Sequence, residues 1–305
     1  MEHELVIGID IGGTRTKAGL VNIRSGEVLH VLILTTETSN ATLFMHQLDT
    51  IVKSFKEVAN KESKIIGGIG FGIPGFTNLA GVVETTFGSI AFMENYPLKT
   101  MVEDNFGLPC LMDNDARVVS LGEAMYGKGK GFKRVLTLTL GTGVGFGFVV
   151  NGQFTDPLPL AHMGGHMKIS DDAILCYCGK TGCLEALVSA TGIRNIALQR
   201  ENLSDIEKVE ALFESASRGN KDAEWVIEKL VDYLHTAIHN YVNLFVPDII
   251  VLGGGIAKGL SSHLDKIKGN SYMTAYPNYR FDLVISDLEE YAGILGSAAL
   301  FLINE

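Results

Sequence analysis

Residues 4–23, Glu4-Leu5-Val6-Ile7-Gly8-Ile9-Asp10-Ile11-Gly12-Gly13-Thr14-Arg15-Thr16-Lys17-Ala18-Gly19-Leu20-Val21-Asn22-Ile23, read as two β-rich runs folded back over a glycine turn. Branched aliphatic residues dominate both arms, and Gly12-Gly13-Thr14 supplies the turn chemistry between them. A third run at 27–35 follows Ser25-Gly26, so the spacing predicts an antiparallel meander over 4–11, 16–23 and 27–35. The same device recurs later, where runs 135–140 and 145–150 flank Gly141-Thr142-Gly143. A repeated hairpin of this kind predicts a duplicated α/β unit.

Each hairpin is followed by alternating patterns. After the first, residues 41–60 switch to helical spacing, with Phe44, Leu48, Ile51, Phe55 and Val58 on one stripe. A strand at 65–73, a helix near 98–106, a strand at 108–112 and a helix from about 116 come next. In the second half the pattern predicts a long helix near 222–244 and a strand at 248–252 ending in Gly253-Gly254-Gly255. A helix near 256–267, a strand at 281–286 and a helix at 292–303 complete the chain. No low-complexity linker separates the halves, so the boundary near 115–120 is expected to be a hinge rather than a tether.

The chain has 305 residues, 46% hydrophobic and 20% charged, enough for sizeable cores in two domains. Its formal net charge of -10 argues against nucleic acid, whose phosphates need clustered cations. The first residues carry no signal-peptide pattern, and the apolar runs are strand-length, far short of a membrane helix. A cytoplasmic protein without a membrane or nucleic-acid partner is expected. Cys176, Cys178 and Cys183 cluster while Cys110 stands alone, a spacing that reads as metal binding rather than as a disulfide framework.

Glycines free the backbone to approach an anion, and Asp10 at the end of its strand is placed to hold a magnesium ion through water. Gly12, Gly13 and Thr14 can then donate to phosphate oxygens; taken alone, the turn reads equally well as an ordinary hairpin. It is neither a dinucleotide fingerprint, since no helix follows the glycines, nor a P-loop, since the Lys-Ser/Thr ending is missing. Gly141, Thr142 and Gly143 form a second such turn, and Gly253, Gly254 and Gly255 a third glycine loop at a strand end. Three loops of this type predict a triphosphate clasped between two domains.

Asp113-Asn114-Asp115-Ala116 ends a strand and starts a helix, where an aspartate can take a proton from a substrate hydroxyl and Asn114 can orient that substrate. The same residues are favoured helix N-caps, so capping competes with catalysis as the reading. Cys176, Cys178 and Cys183 with His166 form a closed Cys3His set, which favours structural zinc and leaves no position for a reactive water. Buried free thiols are the alternative.

Together, these motifs resemble the ROK family (repressors, open reading frames, kinases) of the actin-like sugar kinases. The motifs that carry the likeness are Asp10 to Thr14, Asn114-Asp115-Ala116, Gly141 to Gly145, Gly165-His166, Cys176-x-Cys178-Gly179-x-x-Gly182-Cys183-Leu184-Glu185 and Gly253 to Gly255. The resemblance implies an α/β fold of two actin-like (ribonuclease H-like) domains with a hinge cleft between them. The first would cover 1–117 plus about 290–305, and the second 118–289 with the zinc loop. It implies Asp115 as general base, with Asn114, His166 and Glu185 as sugar ligands. His166 would bind zinc through one nitrogen and sugar through the other. ATP, Mg2+ and structural Zn2+ are the implied cofactors, a hexose phosphorylated at the 6-hydroxyl the implied substrate, and a homodimer or homotetramer the implied assembly.

Two positions depart from the family's pattern. Met163 stands where a sugar-binding glutamate is usual, and the run Thr86-Phe87-Gly88-Ser89 lacks the usual asparagine. The expectation is an intact phosphoryl-transfer apparatus with a sugar choice that is not plain glucose. A non-catalytic sugar or nucleotide sensor is the alternative. A transcriptional repressor is disfavoured because Asp10 leaves no room for an N-terminal helix-turn-helix.

Overall fold

Successive side chains of a strand face opposite ways, and this alternation organises the start of the chain. In the computed structural model, which describes residues 4–78, 80–85, 90–203, 208–269 and 278–304, β1 (Leu5–Ile11) sends Leu5, Ile7, Ile9 and Ile11 into one core. Val6 points the other way into a second core. β2 (Arg15–Asn22) and β3 (Glu27–Thr35) complete the antiparallel meander. α1 (Ala41–Lys61), capped by the Asn40 side chain on the Leu43 N–H, lays Phe44, Leu48, Ile51 and Phe55 on the odd-residue face of β1.

β4 (Ile66–Ile73) then runs parallel to β1. A short hairpin, β5 (Phe76–Thr77) and β6 (Val83–Glu84), and α2 (Leu98–Phe106) lead to β7 (Cys110–Asn114), parallel to β4, and to α3 (Asp115–Tyr126). The first sheet has the order β3-β2-β1-β4-β7. The second repeats it as β10-β9-β8-β11-β12, built from β8 (Arg134–Leu140), β9 (Val144–Val150) and β10 (Gln153–Phe154), then β11 (Ile249–Gly253) and β12 (Asp282–Ile285). Between β10 and β11, among the described residues, lie the cysteine-rich loop and four α-helices: α4 (Leu184–Val188), α5 (Ala190–Ala197), α6 (Val209–Ser217) and α7 (Lys221–Phe245). α8 (Leu264–Lys268) precedes β12, and α9 (Tyr291–Ile303) closes the chain.

The described chain divides into two compact units. One comprises the chain up to Gly131, Gly147–Ala161 and everything from Leu288 on; the other comprises Phe132–Phe146 and His162–Asp287. The sequence placed the first boundary at 117/118, inside α3. α3 instead stays whole in the first unit because it packs on α9, where Gly122 and Gly296 let the two backbones meet. A Cβ on Gly296 would stand 1.6 Å from the Val118 carbonyl oxygen, so a side chain there has no room.

One expected helix differs in kind. Residues 256–267 form a 3-10 helix over Ala257–His263 before the short α8. Gly259 lies there against the Phe213 ring, where a Cβ would come within 2.5 Å of it. Among the described residues, no helix is long and apolar enough to cross a membrane.

Candidate active site and metal centre

Parallel register brings the first set of candidate residues into one row. Asp10 pairs with Gly72, and Gly72 with Asp113, so these residues line up at the carboxyl ends of β1, β4 and β7. Ligands of open α/β sheets bind outside such strand ends. Asp10 lies on the even-residue face of β1, close against α9: a Cβ on Gly293 would stand 2.5 Å from its Oδ2. Lys17 on β2 places its Nζ 3.7 Å from the same oxygen. Burial nevertheless pushes the Asp10 carboxyl above its ordinary value, with Lys17 opposing.

Asp115 is half-buried just beyond β7. Burial, and next the neighbouring Asp10 charge, push its carboxyl up to about 7. Its Oδ1 accepts from its neighbour's N–H, Ala116, at 2.8 Å. Asn114 caps α3, its Oδ1 accepting from the Ala116 and Arg117 N–H groups while its Nδ2 donates to the Gly75 carbonyl at 3.0 Å. Both ends of that amide therefore hold the turn that presents Asp115.

Asp113 has a different partner. Its carboxylate takes Nε of Arg117 at 2.7 Å and Nη2 at 3.3 Å, in a pair with both side chains buried. Arg117 also donates to the carbonyls of Asp156 (2.9 Å) and Leu158 (3.2 Å) and stacks over Phe154 at 4.2 Å. Nearly every donor of the guanidinium is engaged, so Asp113 is held as a structural counter-ion.

The turn at 12–14 is braced from beyond β3: Thr36 Oγ1 donates to the Gly12 carbonyl at 2.7 Å, and its N–H to the Thr14 carbonyl at 3.0 Å. Gly13 and Thr14 are exposed. The corresponding turn between β8 and β9 is braced by a carboxylate instead, with Glu185 Oε2 accepting from the Val144 N–H at 3.1 Å. Thr142 is exposed and Gly141 accepts from the Ala190 N–H at 2.8 Å.

β8 and β11 are parallel with Thr139 opposite Gly253, so the exposed Gly254 and Gly255 lie beside this turn. The Ile256 N–H donates to the Leu140 carbonyl at 3.3 Å. Next to Gly255 is a cavity of about 350 Å³ whose lining includes Glu210, Phe213, Ile256 and Lys258.

The cysteine-rich segment is a tight loop. Cys176 N–H donates to the Lys180 carbonyl and Gly179 N–H to the Cys176 carbonyl, while residues 168 and 183 form a bridge. Gly182 has φ 75°, and a Cβ there would stand 2.0 Å from the Ser170 carbonyl oxygen, so only glycine fits.

One ligand atom each from His166, Cys176, Cys178 and Cys183 falls within 4.8 Å of the others. In a tetrahedral zinc site with ~2.3 Å Zn–S and ~2.0 Å Zn–N bonds, two sulfurs stand about 3.8 Å apart and sulfur and nitrogen about 3.5 Å. Cys178 Sγ and Cys183 Sγ are 3.7 Å apart, and Cys176 Sγ is 3.5 Å from His166 Nδ1. The donor set fits zinc in both chemistry and spacing.

The segment leading into His166 is anchored from α7. Tyr241 Oη donates to the Gly164 carbonyl at 2.8 Å, and Phe146 and Phe245 enclose the His162 ring. His162 is thus packed among aromatics, while Met163 is 44% exposed. His166 Nε2 lies 2.9 Å from Tyr177 Oη. Thr86, Phe87, Gly88 and Ser89 lie outside the described residues.

Sequence reasoning missed Arg117, Tyr177 and Phe213. Arg117 had a signal, its i,i+4 spacing from Asp113. Tyr177 and Phe213 had none, because their roles depend on contacts with His166 and with the 3-10 helix after β11.

The ROK family model matches residues 6–303. A glucokinase of Halalkalibacterium halodurans is 32% identical, over 98% of this chain and 96% of its own length. An N-acetyl-D-glucosamine kinase of Haemophilus influenzae is 28% identical, over 97% and 98%. The crystal structure of a ROK family glucokinase from Streptomyces griseus, in complex with glucose and AMPPNP, superposes with a TM-score of 0.78 at 27% identity, covering 97% of this chain and 98% of that one. Doubled sheets, glycine turns and a Cys3His loop coincide here with an end-to-end match in sequence and fold, and the chain belongs to the ROK family.

Proposed function

We propose that this protein is an ATP-dependent sugar kinase that transfers the γ-phosphoryl group to a hydroxyl, the 6-hydroxyl, of a hexose or hexose derivative. The observation that carries the reading is Asp115, a half-buried carboxyl at a parallel-strand end pushed up to about 7 beside Asp10. A base whose pKa lies near the working pH both exists ionised and accepts a proton readily.

Asp115 takes the proton of the sugar hydroxyl as its oxygen attacks the γ-phosphorus and the bond from that phosphorus to the bridging oxygen breaks, releasing ADP. Asp10 would hold Mg2+, which when bound would neutralise phosphate charge. Backbone N–H groups of Gly12, Gly13, Thr14, Gly141, Thr142 and Gly143 orient the phosphates, with Gly254 and Gly255 lining the nucleotide path. The cavity beside Gly255, with Phe213 and Ile256 in its wall, suits the flat apolar face of the base.

Asn114, His166 and Glu185 position the sugar, Asn114 chiefly by holding the turn under Asp115. His166, Cys176, Cys178 and Cys183 would hold zinc, which when bound would fix the loop and the His166 ring. Met163 offers a thioether where hydroxyls prefer a carboxylate, which favours an epimer, a deoxy sugar or an N-acetylated hexosamine over glucose.

ADP release measured across D-glucose, D-mannose, N-acetyl-D-glucosamine and N-acetyl-D-mannosamine tests the reading. At least one sugar should stimulate release strongly. No release with any sugar would point to a non-catalytic sensor instead. Metal analysis of protein prepared without chelator should find zinc, and Cys178→Ser should cripple sugar binding more than ATP binding.

A further inference from the structure

We infer that Tyr177 is a latch on the sugar side of the zinc loop: its phenol holds the imidazole N–H of His166 that a sugar hydroxyl must take over, so it sets sugar affinity. The inference rests on the sugar-kinase reading above and on His166 contacting the sugar.

His166 has two ring nitrogens, and both are engaged. Nδ1 stands 3.5 Å from Cys176 Sγ, within the four-ligand cluster. A neutral imidazole that gives its Nδ1 lone pair to a metal carries its proton on Nε2. Nε2 is then a donor, and Tyr177 Oη, 2.9 Å away, accepts from it. The rings meet nearly edge to face, at 83° with centroids 5.0 Å apart.

A sugar hydroxyl accepting from the same N–H is chemically equivalent to the phenol, and one hydrogen cannot serve both well. Tyr177 is built to yield. Its neighbours Cys176 and Cys178 are both cluster members, so its backbone is tied down on either side. Its side chain is 57% exposed and is not part of a buried core. Met163, exposed near the start of the His166 turn, offers no oxygen to take the phenol's place. Each sugar-binding event therefore exchanges one neutral hydrogen bond for another, and the affinity is lower than the site would otherwise allow. The competing account is that the phenol merely orients the ring for the metal, as partners of ligating histidines do.

Tyr177→Phe in the full zinc-loaded chain separates the two. Sugar Kd is measured by calorimetry with D-glucose, N-acetyl-D-glucosamine and N-acetyl-D-mannosamine as probes, and zinc affinity by chelator competition. A net neutral hydrogen bond corresponds to about a two- to tenfold change in affinity. The latch predicts that the variant binds its sugar tighter by that factor, with KM lowered in step and kcat and zinc affinity unchanged. Equal or weaker sugar binding overturns it, as does an unchanged sugar Kd with zinc held about 10–100-fold more weakly, the signature of ring orientation alone. If the unmodified protein neither binds nor phosphorylates any of these sugars, the kinase reading falls and the latch with it. If it does bind one and the variant does not bind tighter, only the latch falls.

Discussion

The two glycine hairpins share a backbone plan but not their equipment. β1 and β2 join through Gly12-Gly13-Thr14, and β8 and β9 through Gly141-Thr142-Gly143, each pair sitting in a five-stranded sheet of the same order. The first turn is preceded by Asp10 and braced by a hydroxyl, Thr36; the second is preceded by Leu140 and braced by a carboxylate, Glu185. The segments downstream of the hairpins diverge more. Among the described residues, β3 is followed by one long amphipathic α-helix before β4, whereas β10 is followed by the cysteine loop and four α-helices before β11. The part the two sheets share is thus the part that depends on backbone geometry, a glycine turn between the first two strands. The side chains differ between the units, with Asp10, Asp113 and Asp115 gathered in the first and the His166, Cys176, Cys178 and Cys183 cluster and the cavity beside Gly255 in the second.

If that division holds, substitutions in the two units must fail differently. The largest effect is expected at Asp115: Asp115→Asn should lower kcat by about 10²–10⁴-fold while nucleotide binding, measured by calorimetry, survives. Asp113 is the control from the same turn. Removing one partner of a buried ion pair costs about 3–5 kcal/mol, because the remaining charge is stranded. Asp113→Ala should therefore show a loss of that order in denaturant unfolding, as Arg117 keeps its two carbonyl contacts but loses its counter-ion. A large kcat loss in Asp113→Ala with full stability would reverse the assignment of the two carboxylates.

In the second unit the expected effect is on selectivity. An unmatched buried hydroxyl costs about 1–3 kcal/mol, or about 5–150-fold in affinity. Met163→Glu should raise kcat/KM for glucose within that range at the expense of the preferred sugar. Steady-state kinetics showing efficient glucose turnover by the unmodified protein, with no gain in the variant, would remove Met163 from sugar choice.

The smallest effects are those of pH. With the Asp115 carboxyl titrating at about 7, log kcat/KM of the free enzyme should fall by about one per pH unit below that point. The same shift has a stability sign. Asp115 titrates near ~3.9 when unfolded, so the folded state binds the proton more tightly. Its contribution to stability is full below the unfolded value and is lost as pH rises through about 7. Asp115→Asn, which never ionises, should melt higher than the unmodified protein at pH 8, with the gap closing at pH 5. A gap that widens toward acid would show that the carboxyl is not raised.

The strands, the long helices, the doubled hairpin and the cysteine cluster were all legible in local spacing. Strand alternation in 5–11 and helical spacing in 41–61 are local properties, written in residues a few positions apart. The spacing of Cys176, Cys178 and Cys183 is local too, since a loop that short can only curl round one centre. Three things were decided only by the tertiary structure. Asp113 and Asp115, alike in sequence, were separated by their surroundings: one faces a guanidinium, the other Asp10. The stretch after Gly255 tightened into a 3-10 helix with Gly259 against Phe213, a residue from a distant helix. Tyr177 met His166 across the loop that also gathers Cys176, Cys178 and Cys183 near the same ring. In each case the deciding term is a contact that local spacing does not specify, whether a charge or a ring. Asp10 and Asp115, or Gly259 and Phe213, share no short window of sequence, so only the fold brings them within range.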